Sequence, residues 1–209
     1  MAISYPLNLP TNKGIMRVVM RARNVTGMSR SPFTGSIQIY LWPGEWWEAE
    51  CTLPQMNRHD AELWTTFLLS LRGTSGTFLL WDPSARSPQG LASGTPVVNG
   101  SGQTGLQLAT RGWTPSTSGI LLAGDYIQLG ASDAVPSQRL YKVLTPANSD
   151  GDGNATLDIF PRLRESPADG DTITTTNPVG TFRLALNQSE WDVDAAHIFG
   201  ISFKALEAI

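Results

Sequence analysis

Apolar residues recur at every second position through three stretches of the first quarter of the chain. In residues 15–23, IMRVVMRAR, Met16, Val18, Met20 and Ala22 fall on one side, with Arg17, Val19, Arg21 and Arg23 on the other. That period of two is the signature of a strand with one buried face. Ile37, Ile39 and Leu41 alternate with Gln38, Tyr40 and Trp42 in the same manner, and Trp47, Ala49, Cys51 and Leu53 with Trp46, Glu48, Glu50 and Thr52. Pro43-Gly44 separates the last two runs, and such a pair between alternating segments signals a hairpin turn. The pattern predicts an antiparallel meander of three strands.

The period then changes. Leu63, Trp64, Phe67, Leu68 and Leu71 recur at helical spacing and make a wide apolar stripe. Asn57 is placed to accept a hydrogen bond from a first-turn amide, Asp60 and Glu62 suit the positive end of the helix dipole, and Gly73 closes the far end. Such a stripe needs a sheet to lie on, and the meander supplies one.

Two later segments echo each other: GTFLLWDP begins at Gly76 and GTFRLALN at Gly180. Phe78, Leu79, Leu80 and Trp81 form a continuous apolar run, as in a strand buried on both sides. In the C-terminal HIFGISFKALEAI, Phe199, Ile201, Phe203 and Ala205 alternate with Gly200, Ser202 and Lys204. These late strands are expected to complete the early sheet. About a hundred residues lie between the echoes, far too many for an ordered loop. The expected organisation is an insertion: a host domain of residues 1–83 and 180–209, interrupted by a separate module of residues 84–179. The module opens with Gly-, Ser- and Pro-rich stretches, PSARSPQGLASGTP and NGSGQTG, which read as exits and loops. LQLAT, YIQLG, RLYKVL, ATLDIF and TITTT then read as short strands, separated by turn chemistry at Ala123-Gly124-Asp125 and NSDGDGN. Five short strands in under a hundred residues suit a small barrel of the oligonucleotide-binding type or a compact sandwich.

Composition narrows the function. Of 209 residues 41% are hydrophobic and 16% charged, so uncharged polar residues must cover much of the surface. A net charge of −3 gives no electrostatic case for nucleic acid or an anionic membrane as the main partner. The opening MAISYPLNLPTNKG lacks the basic patch and apolar run of a secretory signal, and no stretch approaches the ~18 apolar residues of a membrane span. Synthesis and folding in a cytoplasm are expected. Cys51 stands alone and reads as a small buried residue.

Candidate chemistry is sparse. Asp150, Asp152 and Asn154 alternate as in a calcium loop, but Ala155 and Pro161 stand where that loop needs its glycine and bidentate glutamate. An exposed turn is the expectation there, with no metal and no cofactor. His59 and His197, the two histidines, have no local nucleophile or ligand set, and no catalytic motif occurs, so the chain reads as a non-enzyme. Arg17, Arg21 and Arg23 make a basic strand face that Glu48 and Glu50 on a neighbouring strand can answer, within the chain or between subunits. Tyr40, Trp42 and Trp46 share that face, and exposed aromatic and arginine side chains are typical of interfaces. These eight residues form the candidate subunit interface. Trp113, Tyr126 and Tyr141 in the insert could stack on sugars, although barrels also bury such rings.

ISYPLNLP, the WWEAECTLP segment with the RHDAELWTTFLLSLRG helix and GTFLLWDP, and the later AGDYIQLG, RLYKVL and DGNATLDIFPRLRESPADGD together resemble the distal tail proteins of long-tailed bacteriophages. The resemblance spans almost the whole chain. It implies a mainly β host domain, a sandwich with one helix related to the tail-tube fold, carrying an oligonucleotide-binding-like or galectin-like module. It further implies a structural virion protein that closes as a hexameric ring at the tail tip. That ring would be assembled in the bacterial host cytoplasm and would connect tail tube to tail-tip hub, with tape-measure protein and later DNA passing through its lumen. No catalytic residue comes with the resemblance. The alternative is a carbohydrate-binding adhesion module acting through the insert.

Overall fold

A computed structural model describes residues 3–130 and 138–209. The fold is mainly β, as expected: among these residues there are two antiparallel sheets and one helix, the second sheet curled into a half-barrel. The first sheet takes its strands from both ends of the chain, β1 (Arg17–Arg30), β2 (Ile37–Thr52), β3 (Thr77–Leu80), β9 (Gly180–Leu184), β10 (Trp191–Val193) and β11 (Phe199–Glu207). Its order is β1-β2-β11-β9-β3, with β10 beside β11. The echoed segments are sheet neighbours: β3 and β9 run antiparallel with Phe78 opposite Phe182. Beyond β3, Leu7 donates its amide to the Thr77 carbonyl at 2.8 Å and accepts from Leu79 at 2.9 Å. The N-terminal segment thereby covers an edge that would otherwise present unpaired backbone groups.

The expected meander is a two-stranded unit instead. Pro43-Gly44 does not turn the chain, because β2 runs continuously through it for 16 residues. The pairing register slips there, between Asn24↔Glu45 and Thr26↔Leu41, so that Trp42, Pro43 and Gly44 oppose Val25 alone. This is a bulge, a position that tolerates a proline with no amide to donate. Glycine is needed beside it, since a Cβ at Gly44 would lie 2.7 Å from Val25 Cγ2. The true turn is residues 31–36, where the Ser31 hydroxyl accepts from the amides of Phe33 and Thr34, each at 3.3 Å.

Helix α1 (Arg58–Ser70) starts as expected, with the Asn57 side chain accepting from the Asp60 amide at 3.0 Å. It ends where Arg72 and Gly73 both take positive φ. Trp64, Phe67, Leu68 and Leu71 are buried, whereas Leu63 points to solvent at 52% exposure. The buried stripe is therefore narrower than its sequence pattern. It meets the sheet through edge-on rings: Trp64–Phe67, Phe67–Phe78 and Phe78–Phe203 have centroids 5.6–5.9 Å apart.

The second sheet has the order β4-β5-β8-β7-β6, from β4 (Gly94–Val98), β5 (Gly105–Trp113), β6 (Tyr126–Leu129), β7 (Arg139–Val143) and β8 (Ala155–Leu163). Strand β4 falls in a stretch read as loop, because its glycine and proline mask Val97 and Val98. TITTT is not a ladder strand. Thr172 bridges to Val97 on β4 and Thr174 to Gln128 on β6, so this segment joins the sheet's two edges. Leu108, Ile127, Val143, Leu157 and Ile159 fill the interior with no measurable exposure.

Phe78 lies at the meeting of helix and sheet, whereas Leu63 lies on the far side of the helix. Phe78→Ala is expected to cost about 3–5 kcal/mol in urea unfolding, and Leu63→Ala no more than about 0.5 kcal/mol. Equal costs would mean that the helix does not present this face.

Candidate assembly surface

Strands β1 and β2 pair from Arg17↔Thr52 at the base to Arg30↔Ile37 at the tip. Near the base one face rests on the core, where Trp47, Ala49 and Cys51 are buried and Val18 and Met20 pack against them. Past the bulge no layer of described residues lies beneath or above, and the two strands continue as an arm. Ile37, Ile39 and Leu41, expected inside, are 53–69% exposed, since the core ends before they begin. Met28 shares their exposure at 73%, and Phe33 in the tip turn reaches 95%. Met16, just before β1, and Ala22 within it are also exposed, because β1 is the edge strand of the sheet.

The eight candidate interface residues fall in three places. Arg21, Arg23, Trp46, Glu48 and Glu50 converge on the outer face above the core. Arg21 meets Glu50 at 2.6 Å and Arg23 meets Glu48 at 2.9 Å, each pair diagonal across the strands, while Trp46 Nε1 donates to Glu48 at 3.3 Å. Cross-strand pairing within the chain thus employs the charges of this patch. The hydrogen bond from Arg21 holds the Glu50 carboxyl below its ordinary value of 4.5. Arg17 stands apart at the base, opposite Thr52. Tyr40 and Trp42 stand on the arm and are 53% and 58% exposed. Tyr40 lies across from Gly27, beside which the Trp42 indole also comes to rest. The pattern overlooked Met28, Phe33, Ile37, Ile39 and Leu41 as surface residues. A signal was present: Arg30 is the sole charged residue between Asn24 and Gly44.

Behind the arm's root the two sheets meet across a polar seam. Glu207 is 5% exposed; its Oε2 receives the Arg164 guanidinium at 3.0 Å and the Trp47 amide at 3.0 Å. Trp47 Nε1 donates to the Leu140 carbonyl at 3.0 Å, and its ring meets Phe160 edge-on at 4.9 Å. The buried Glu45, next to the bulge, accepts from the Arg162 amide at 2.8 Å. Arg139 donates to the Ala208 carbonyl. The root of the arm is therefore fastened to the barrel by β7 and β8.

The proposed sugar-stacking rings are core. Trp113, Tyr126 and Tyr141 are 3%, 3% and 1% exposed, so none offers a ring face to a ligand. Trp113 Nε1 donates to the buried Thr110 hydroxyl at 2.7 Å, and burial pushes the Tyr141 hydroxyl up to about 12. Asp150 spends its oxygens on its own turn, accepting from the amides of Asp152 and Asn154 at 2.9 and 2.8 Å. Both histidines are exposed. Among the described residues no group of three or more His, Cys, Asp or Glu side chains gathers to hold a metal, and no helix is long and apolar enough to cross a membrane. Cys51 is buried, and desolvation pushes its thiol up to about 12.

No protein-family model matches this chain, and no curated protein is similar to it.

Two measurements check this geometry. Arg164→Leu leaves Glu207 charged and buried and is expected to cost about 3 kcal/mol. Adding Glu207→Gln should recover most of the loss in urea titrations, because the amide oxygen can still accept from Trp47. Separately, the folded state binds a proton at Glu50 less readily than the unfolded chain does. The Arg21 contact thus favours the fold above pH 4.5, and its contribution vanishes as pH falls through the lower folded-state value. Arg21→Ala should move the Glu50 midpoint, followed by NMR, back up toward 4.5.

Proposed function

We propose that this chain is a structural assembly subunit, a distal-tail-type protein that forms a ring at the end of a phage tail tube and joins the tube to the tail-tip hub. One observation carries the reading. The arm beyond the bulge exposes Met28, Ile37, Ile39 and Leu41 on one face, Tyr40 and Trp42 on the other and Phe33 at its end. An isolated two-stranded ribbon is marginal in water, and among the described residues neither face of this one is buried by its own chain. Exposed apolar area of this extent marks a surface that another protein covers. The free edge of β1 adds unpaired backbone groups that a neighbouring copy's strand can complete. A closed ring satisfies both needs, because a head-to-tail contact repeated about an axis leaves no copy with an uncovered arm. Tube, hub and tape-measure protein are the expected partners, with DNA only a passenger in the lumen and the virion tail tip the site of action.

Purified full-length protein is expected to sediment as a closed oligomer and to appear as rings in negative stain. Ile39→Ser with Trp42→Ser should disperse it to 22.6 kDa monomers while changing monomer stability by no more than about 0.5 kcal/mol. Wild-type protein that stays monomeric at about 100 µM, alone and with tail tubes, would overturn the reading; that concentration is well above the micromolar affinities of ordinary specific complexes.

A further inference from the structure

We infer that the arm's tip and a cleft at the opposite end of the same hairpin are the two halves of the contact between successive copies. This inference rests on the ring reading. The knob is Phe33, 95% exposed, with Arg30 beside it at the end of β1. The socket is a cleft of about 660 Å³ whose apolar lining includes Met16, Pro54, Trp191 and Ile201. Met16 and Trp191 are 66% and 41% exposed there, so the cleft presents apolar surface with no cover of its own.

Charge selects the pairing. The socket's charged lining residues are Glu190 and Asp192, both acidic. Arg30 is the one charged residue of the arm. A phenyl ring entering between Met16 and Trp191 would bring Arg30 to the acidic rim, so that apolar and ionic complementarity point to the same occupant, a second copy.

Geometry excludes the alternative in which a chain fills its own socket. Met16 donates its amide to Thr52 at the base of the hairpin, whereas Phe33 closes the other end. The fourteen residues of β1 lie between them, which at ~3.3 Å per residue is a span of about 45 Å. Knob and socket at opposite ends of one hairpin make a heterologous contact, the kind that propagates around a ring.

The test uses the full chain. Phe33→Ser should raise the concentration for half-assembly at least tenfold in sedimentation. Arg30→Glu should do the same, and adding Glu190→Arg should bring it back. A chain carrying Phe33→Cys and Gln55→Cys should form disulfide ladders between chains under oxidation, with the buried Cys51 silent. Assembly unchanged by Phe33→Ser, or rings that form without any cross-link between positions 33 and 55, would overturn the docking while leaving the ring intact. A wild-type chain that never assembles would overturn both.

Discussion

One buried carboxylate organises this molecule. Glu207 sits where the first sheet meets the half-barrel and holds the Arg164 guanidinium and the Trp47 amide with the same oxygen. A buried ion pair adds little net stability, because desolvation consumes most of the attraction. Its consequence is for geometry. Any docking of barrel on sheet that separated the pair would leave an uncompensated charge in a low-dielectric interior, so alternative arrangements are heavily penalised. Glu45 and Arg139 repeat the device with backbone partners on the opposite module. Trp47 adds an apolar hinge pin, held by Leu140 and packed on Phe160.

That seam lies directly beneath the bulge, and the arm inherits its direction from both. The seam holds Glu45 and Trp47 still, and the bulge at Trp42–Gly44 sets how the strands leave the core. A ribbon with no layer above or below keeps its shape only through its own ladder and its cross-strand pairs. On the core side of the bulge, Arg21–Glu50 and Arg23–Glu48 brace the root. Beyond it both faces carry exposed apolar side chains, Met28, Ile37, Ile39 and Leu41 on one and Tyr40 and Trp42 on the other, for which water is a poor environment. Charge pairs thus brace the root, and apolar groups dominate the exposed arm.

The second module's described residues are engaged in its own fold. Its rings are interior, its Asp150 turn is self-satisfied, and the Thr172–Thr174 segment joins its edges. Joining the edges satisfies backbone groups that would otherwise stand unpaired.

Much of this was legible in the residues themselves. Alternation identified the inward face of Trp47, Ala49 and Cys51, Asn57 announced the start of the helix, and the twin GTF segments pointed to neighbouring strands separated by an insertion. These features depend on local pattern and turn chemistry, which act within a few residues. Other features were invisible because their causes are distant in sequence. Period two says that Ile37, Ile39 and Leu41 share a face, but only the extent of the core, set by β11 and α1, decides that this face looks onto solvent. Pro43-Gly44 reads equally as turn or bulge until Val25 stands opposite it. Thr172 and Thr174 carry no strand pattern, yet the two barrel edges they join are brought to them by the rest of the chain. Sequence by itself determined the alternating faces of β1, β2 and β11 and the start of the helix, because those signals act within a few residues; the tertiary structure alone decided where the interior stops, and hence which apolar residues face solvent.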